Sequence, residues 1–217
     1  MTLLEQFSLD SRWIRFGLVG VAAALVILLA GLGGWAWYQS QESSAQVALA
    51  DAMRIASRAQ GPEATPEARA AAIKALESVL AEHPRLSTAS QAAYQLGNLK
   101  YALAQYPEAR GAYQLALAKG ATGSVKALAA TGIGYTWEAE KNYANAATAY
   151  ETALSGLTPK DFQYEEALVG AARSEDLAGK PSAALELYQR ALREFPEGRR
   201  AEDMRDRIAS LKTRLGQ

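Results

Sequence analysis

The sequence predicts an all-α protein in which one N-terminal transmembrane helix precedes a stack of helical pairs and a C-terminal capping helix. Three observations lead to this prediction. The 217 residues are rich in alanine and 49% hydrophobic, and alanine favours helices because it loses no side-chain entropy there. A long run near the N-terminus carries no charge. One short phrase occurs three times further along the chain.

The uncharged run at 16–38 is long enough to cross a hydrocarbon core of about 30 Å as a helix. Trp13 before it and the WAWY sequence that closes it would lie at the two headgroup layers. Because Arg12 and Arg15 flank only the N-terminal side, the positive-inside bias predicts a cytoplasmic N-terminus at 1–15. The alternative, a cleaved signal peptide, would have a shorter apolar stretch that ends at small residues.

The recurring phrase reads YPEARGAYQLAL, YANAATAYETAL and PSAALELYQRAL, and its tyrosines Tyr113, Tyr150 and Tyr188 are 37 and 38 residues apart. A period in this range is typical of stacked helical repeats. A small residue stands sixteen positions before each tyrosine, and these residues are Gly97, Gly134 and Ala172. The small residue lets the second helix pack closely against the first, and the tyrosine fills the wedge between successive pairs. Each unit is therefore predicted to be two helices joined by a turn.

This pattern resembles the tetratricopeptide repeat, which has a small residue midway along its first helix and alanine, aromatic and alanine residues along its second. The residues that match the second-helix pattern are Ala109, Tyr113 and Ala116, then Ala146, Tyr150 and Ala153, then Ala184, Tyr188 and Ala191. The units are about three or four residues longer than the usual repeat. The resemblance implies a solenoid whose first helices line a concave face.

Helical patterns also flank the three repeats. Upstream, Leu49 and Ala52 begin one apolar stripe and Leu76 lies on a second, and Thr65 before Pro66 is a start signal for that second helix. Downstream, the last segment has apolar residues on one face and charges elsewhere, as a terminal cap requires. The predicted segments are a cytoplasmic N-terminus at 1–15, a transmembrane helix at 16–38, a degenerate first helical pair at 42–84, three repeats at 90–196 and a capping helix at 198–215.

The composition offers little for catalysis or metal binding. There is no cysteine, and the single histidine, His83, stands beside a turn proline. No phosphate-binding glycine motif or nucleophile elbow is present. The 23 basic residues balance the 23 acidic ones, which argues against a nucleic-acid partner. We therefore expect no enzymatic activity, no cofactor, no metal and no nucleic acid, and we attribute Glu165 and Glu166 to the dipole of a helix start.

The remaining candidate for function is the concave face. The register assigns to it aromatic and polar side chains that suit an extended peptide or a partner helix. The candidate protein-binding residues are Tyr94, Asn98, Tyr101, Tyr135, Glu138, Arg173 and Asp176. The alternative is that Tyr94 and Tyr101 only fill space between helices. The lysine and asparagine pattern with which some family members bind a C-terminal carboxylate is not met, since only Asn98 fits it.

The whole layout resembles the ancillary subunit of the bacterial Sec translocon. This resemblance implies a single-pass protein of the bacterial inner membrane with its repeat domain in the periplasm. It also implies a non-enzymatic adaptor for protein translocation, whose partners are Sec translocon subunits, periplasmic chaperones or secreted chains. A scaffold for envelope assembly or cell division would have the same architecture and is the alternative. The sequence leaves the oligomeric state open.

Overall fold

The computed structural model describes residues 11–59, 61, 63–83 and 88–217, with the side chains at 11–18, 22 and 36–42 left aside. The described residues form nine α-helices and confirm that the fold is all-α. These helices are α1 Ser11–Arg58, α2 Pro66–Glu82, α3 Ala89–Ala102, α4 Tyr106–Ala118, α5 Gly123–Ala139, α6 Tyr143–Leu154, α7 Tyr164–Leu177, α8 Pro181–Glu194 and α9 Ala201–Arg214.

The chain divides into two compact units, Met1–Val47 and Ala48–Gln217. The first unit is described from residue 11 and consists of the first part of α1. The large apolar side chains that the structure describes in this unit are exposed, including Val26, Leu29 and Trp35. Residues 1–10 of the predicted cytoplasmic N-terminus lie outside the described residues, as do the side chains of the two flanking arginines.

The predicted transmembrane helix at 16–38 is wrong for the part of the chain that the structure describes. No helix there is both long and apolar enough to cross a membrane.

In the second unit, each helix from α2 to α9 packs against the next one along the chain. Three-residue turns join α3 to α4, α5 to α6 and α7 to α8, and such short turns between packed helices produce antiparallel hairpins. α3 also contacts α5, and α5 contacts α7. Among the described residues, no Cα of α6 comes within 8 Å of a Cα of α4 or α8. The three hairpins therefore curve, with α3, α5 and α7 forming what we call the inner face.

The three hairpin turns share one backbone conformation. Their middle residues are left-handed, with φ of 57° at Ala104, 60° at Lys141 and 79° at Gly179. In the first turn the N–H of Gln105 donates to the carbonyl of Lys100 at 3.0 Å, and the same bond recurs in the other two. This bond caps the first helix of the hairpin. Only the third turn has glycine, the residue best suited to positive φ.

Two of the repeated tyrosines are held between glycines of successive hairpins. A Cβ atom at Gly97 would lie 2.5 Å from the Tyr113 ring, and one at Gly132 would lie 2.9 Å from it. The Tyr113 ring therefore fills the space that a side chain would need at Gly97 of the same hairpin or at Gly132 of the next one. The corresponding residues one hairpin later are Gly134, Gly170 and Tyr150. Whether the hairpins belong to the tetratricopeptide family stays a prediction.

The flanks of the three hairpins pack as their sequence patterns indicate. Thr65 accepts a hydrogen bond from the N–H of Ala68 at 3.2 Å and so caps the start of α2. At the other end α9 packs on α8. Its Met204 and Leu211 are buried in the same apolar cluster as Tyr188. The last helix therefore shields the final hairpin from water.

Candidate functional site

The seven predicted site residues lie on the three helices of the inner face. They are Tyr94, Asn98 and Tyr101 on α3, Tyr135 and Glu138 on α5, and Arg173 and Asp176 on α7. Tyr101 is exposed and the other six are half-buried. All seven therefore keep some surface accessible to a partner.

Glu138 joins two successive hairpins. Its carboxylate accepts two hydrogen bonds from Arg173, from Nε to Oε1 and from Nη2 to Oε2, both at 2.8 Å. It also accepts from the Tyr150 hydroxyl at 2.7 Å and from Ser174 Oγ at 3.3 Å. Burial by itself raises the pKa of Glu138, but the hydrogen bonds from Arg173 and Tyr150 outweigh it and hold the pKa below the ordinary 4.5. Glu138 is therefore an ionised link between α5 and α7.

Tyr135 lies next to this link and is also held by partners within the protein. Its ring packs edge-on against Tyr150, with 5.8 Å between ring centroids. The Glu166 carboxylate acts on the Tyr135 hydroxyl and forms an ion pair with Arg200. Burial, followed by the adjacent Glu166 carboxylate, raises the pKa of Tyr135 well above its usual range. The Tyr135 phenol is therefore neutral at physiological pH.

The three predicted site residues of α3 differ in how much they contribute to the packing between helices. The Tyr94 ring lies 5.9 Å from the ring of Tyr113, and Asn98 Oδ1 accepts a hydrogen bond from the Tyr113 hydroxyl at 2.9 Å. The Tyr101 ring packs at a tilt of 60° against Tyr106, with 5.4 Å between ring centroids, and Tyr101 keeps 37% of its surface exposed. Tyr94 and Asn98 thus support a buried residue, whereas Tyr101 is the most accessible of the predicted set.

Unlike the other six residues, Asp176 is paired with a residue of the last helix, α9. Its carboxylate accepts a hydrogen bond at 2.5 Å from Arg214 near the end of α9. Only 18% of the Asp176 side chain is exposed. This ion pair fastens the last hairpin to the capping helix, so Asp176 has a structural use besides any role in binding.

Sequence reasoning missed the partners of two side chains beside the inner face, Arg110 and Glu166. The guanidinium of Arg110 lies 3.4 Å from the centre of the Trp137 ring and pairs with Glu140 at 2.6 Å. Glu166, attributed above to a helix dipole, pairs with Arg200 and raises the pKa of Tyr135. Trp137, three residues after Gly134, was the only sequence signal for these contacts. The charged partners are about thirty residues apart along the chain, beyond the reach of local patterns.

The arrangement offers aromatic and polar contacts for a binding partner. The carboxylates beside the tyrosine hydroxyls, those of Glu138 and Glu166, are both engaged by arginines. Within the described ranges no three side chains of histidine, aspartate or glutamate converge as metal ligands. A comparison with the models of known protein families finds no match for this chain, and a comparison with curated proteins finds none either.

Proposed function

We propose that this chain is an adaptor that binds protein partners through its inner face and performs no catalysis. The observation that carries the proposal is that three successive hairpins contribute accessible side chains to one face. Tyr101, Tyr135 and Arg173 come from α3, α5 and α7, which contact one another in that order. Aromatic and arginine side chains on a rigid support are the groups that contribute most to protein interfaces.

The proposed setting is protein translocation in a bacterial periplasm, with Sec translocon subunits, periplasmic chaperones or secreted chains as partners. This setting comes from the resemblance of the stacked hairpins, without the membrane-spanning helix, and the inner face is compatible with it because it is continuous along three hairpins. A scaffold for envelope assembly or cell division remains the second candidate. The two candidates share the binding face and differ only in the proteins that occupy it.

Site-directed crosslinking in living cells tests the proposal. A photoreactive amino acid at position 101, on the inner face, should form covalent adducts with partner proteins. The same amino acid at Tyr143, which begins α6 outside the inner face, provides the matched control. Adducts with translocon subunits or chaperones would support the translocation role, and adducts with envelope or division proteins would support the alternative. Equal adducts from both positions, or none from position 101, would exclude the inner face as the binding surface.

A further inference from the structure

The charged side chains of the predicted site, Glu138, Arg173 and Asp176, are already paired within the protein. Glu138 is bound at both oxygens by Arg173, and Asp176 is paired with Arg214. The neighbouring Glu166 is paired with Arg200. A charged group of a ligand would have to separate one of these half-buried pairs, and leaving a charge unpaired there is unfavourable.

Two buried tyrosines behind this face, Tyr113 on α4 and Tyr150 on α6, hold its polar groups in place without adding charge. The hydroxyls of Tyr113 and Tyr150 donate to Asn98 and Glu138. Burial is the largest cause that raises the pKa of both tyrosines, and of Tyr135, well above the usual range. The predicted site is therefore aromatic and polar, and its charges are balanced at physiological pH.

Some hydrogen-bonding groups on this face do not take part in the ion pairs within the protein. Arg173 binds Glu138 through Nε and Nη2, so Nη1 is not part of that pair, and 39% of its side chain is exposed. Asn98 uses its oxygen on Tyr113 and reaches Gln95 with its nitrogen only at 3.4 Å. The hydroxyl of the exposed Tyr101 lies on the same helix as Asn98. These groups match the carbonyl and N–H groups of a peptide backbone.

We infer that the inner face takes an uncharged, extended peptide segment, which it recognises through the peptide backbone and through apolar side chains packed on the tyrosines. The inference rests on the proposed function, because it names the class of ligand for the same face. Packed helices lie about 8 to 10 Å apart, so the path from α3 to α7 is roughly 20 Å and is covered by about six or seven extended residues.

Fluorescence anisotropy with the full chain and labelled synthetic peptides of about ten residues tests this inference. One peptide has blocked ends and contains only leucine, proline, tyrosine and serine. The second is rich in aspartate and has a free C-terminal carboxylate, and the third is rich in lysine. We expect the uncharged peptide to bind at least about tenfold more tightly than either charged one, and its affinity to change less than about twofold between low and high salt.

Two variants connect the binding to the inner face. Tyr101→Ala should weaken binding of the uncharged peptide by about five- to tenfold, because it removes an exposed aromatic contact. Tyr101→Phe keeps the ring and should have a smaller effect, whereas Tyr143→Ala on α6 should have none. Far-UV circular dichroism and thermal melts of each variant establish that the fold is retained.

The possible failures are distinguishable. Tighter binding of a charged peptide that is still sensitive to Tyr101→Ala, or a steep loss of affinity with salt, would overturn the inference and leave the proposed function standing. Failure of all three peptides to bind would count against both. Binding of the uncharged peptide that is unaffected by Tyr101→Ala would move the site away from the inner face and would also overturn the inference.

Discussion

At the scale of single residues, the glycines of the first helices decide how closely the hairpins approach. Gly134 and Gly170 leave the space that the Tyr150 ring fills, and this ring is fully buried. Because the ring is enclosed on both sides, it has nowhere to move when a side chain is added. Tyr150 also donates its hydroxyl to Glu138, so the same residue completes the packing and orients the charged link between α5 and α7.

Replacing Gly134 should reveal this close packing. We expect Gly134→Leu to lower the free energy of unfolding by about 1 to 3 kcal/mol, because the added side chain would overlap the Tyr150 ring. The matched control is Gly111→Leu in α4, where an added Cβ meets nothing within 4 Å. That change should be neutral or slightly stabilising, since leucine favours a helix more than glycine does. Urea denaturation measures both, and equal effects would contradict the packing described here.

A second residue-scale prediction concerns pH. Since hydrogen bonding holds the pKa of folded Glu138 below its ordinary 4.5, its ionised form stabilises the fold. This contribution is fully present above that value and is lost as the pH falls through the lower pKa of the folded protein. Glu138→Gln should therefore lower the free energy of unfolding by about 1 to 3 kcal/mol near neutral pH.

The difference between Glu138→Gln and the parent protein should shrink as the pH is lowered below 4.5. Chemical denaturation over a series of pH values measures it. Glu151→Gln on the exposed surface of α6 is the control and should show almost no difference at any pH. A difference for Glu138→Gln that grows on acidification would contradict the ion pair with Arg173 as its source.

At the scale of elements, the hairpin turns are the repeated feature that best defines one unit. The first two contain Ala104 and Lys141 at positive φ, and the third contains Gly179. In all three turns the same backbone hydrogen bond ends the first helix of the hairpin. The hairpin therefore imposes a positive φ on the middle turn residue, whether or not that residue is glycine. A side chain at such a position carries a steric cost that glycine avoids.

Substitution of these turn residues should therefore act in opposite directions. We expect Ala104→Gly and Lys141→Gly each to raise the free energy of unfolding by about 0.5 to 1 kcal/mol, through relief of strain at positive φ. Gly179→Ala should lower it by about 1 kcal/mol for the same reason. Thermal melts followed by circular dichroism measure all three. A loss of stability in the two glycine variants would mean that unfolded-chain entropy outweighs the strain at these turns.

At the scale of the whole molecule, the second unit, Ala48–Gln217, holds together through neighbouring elements. Each helix packs on the next, and the longest-range packing between helices joins α3 to α5 and α5 to α7. In such a stack stability is approximately a sum of units and their interfaces, so the exposed end of the last unit must be covered. α9 provides this cover with Met204 and Leu211 and with the pair between Arg214 and Asp176.

Removing the cap should affect more than the deleted segment. A chain without residues 198–217 should lose stability by several kcal/mol, because Tyr188 and its apolar neighbours become exposed. Circular dichroism should show helix loss beyond the missing residues, and binding of a hydrophobic dye should rise. A chain lacking only 216–217 is the control and should behave like the parent. An unchanged melt after the larger deletion would show that α9 is dispensable for the stack.

The sequence by itself determined the helical class, the hairpins and the residues that bring their helices close. Local information suffices for these features, because alanine content, the start signal at Thr65 and the spacing of Tyr113 and Tyr150 all act within one or two neighbouring helices. It also placed the seven candidate residues on helices that prove to contact one another. The same local reading was wrong about a transmembrane helix among the described residues, since no helix there is long and apolar enough to cross a membrane.

The tertiary structure alone decided how those residues are used. Glu138 and Arg173 are 35 residues apart, and Asp176 and Arg214 are 38 residues apart. Neither pair can therefore be recognised from a local sequence pattern. The glycines on the far side of each tyrosine, Gly132 and Gly170, belong to the following hairpin and become meaningful only when hairpins stack. Whether a charged side chain is free for a ligand or already paired depends on such long-range contacts, and therefore only the folded stack determines the charge of the inner face.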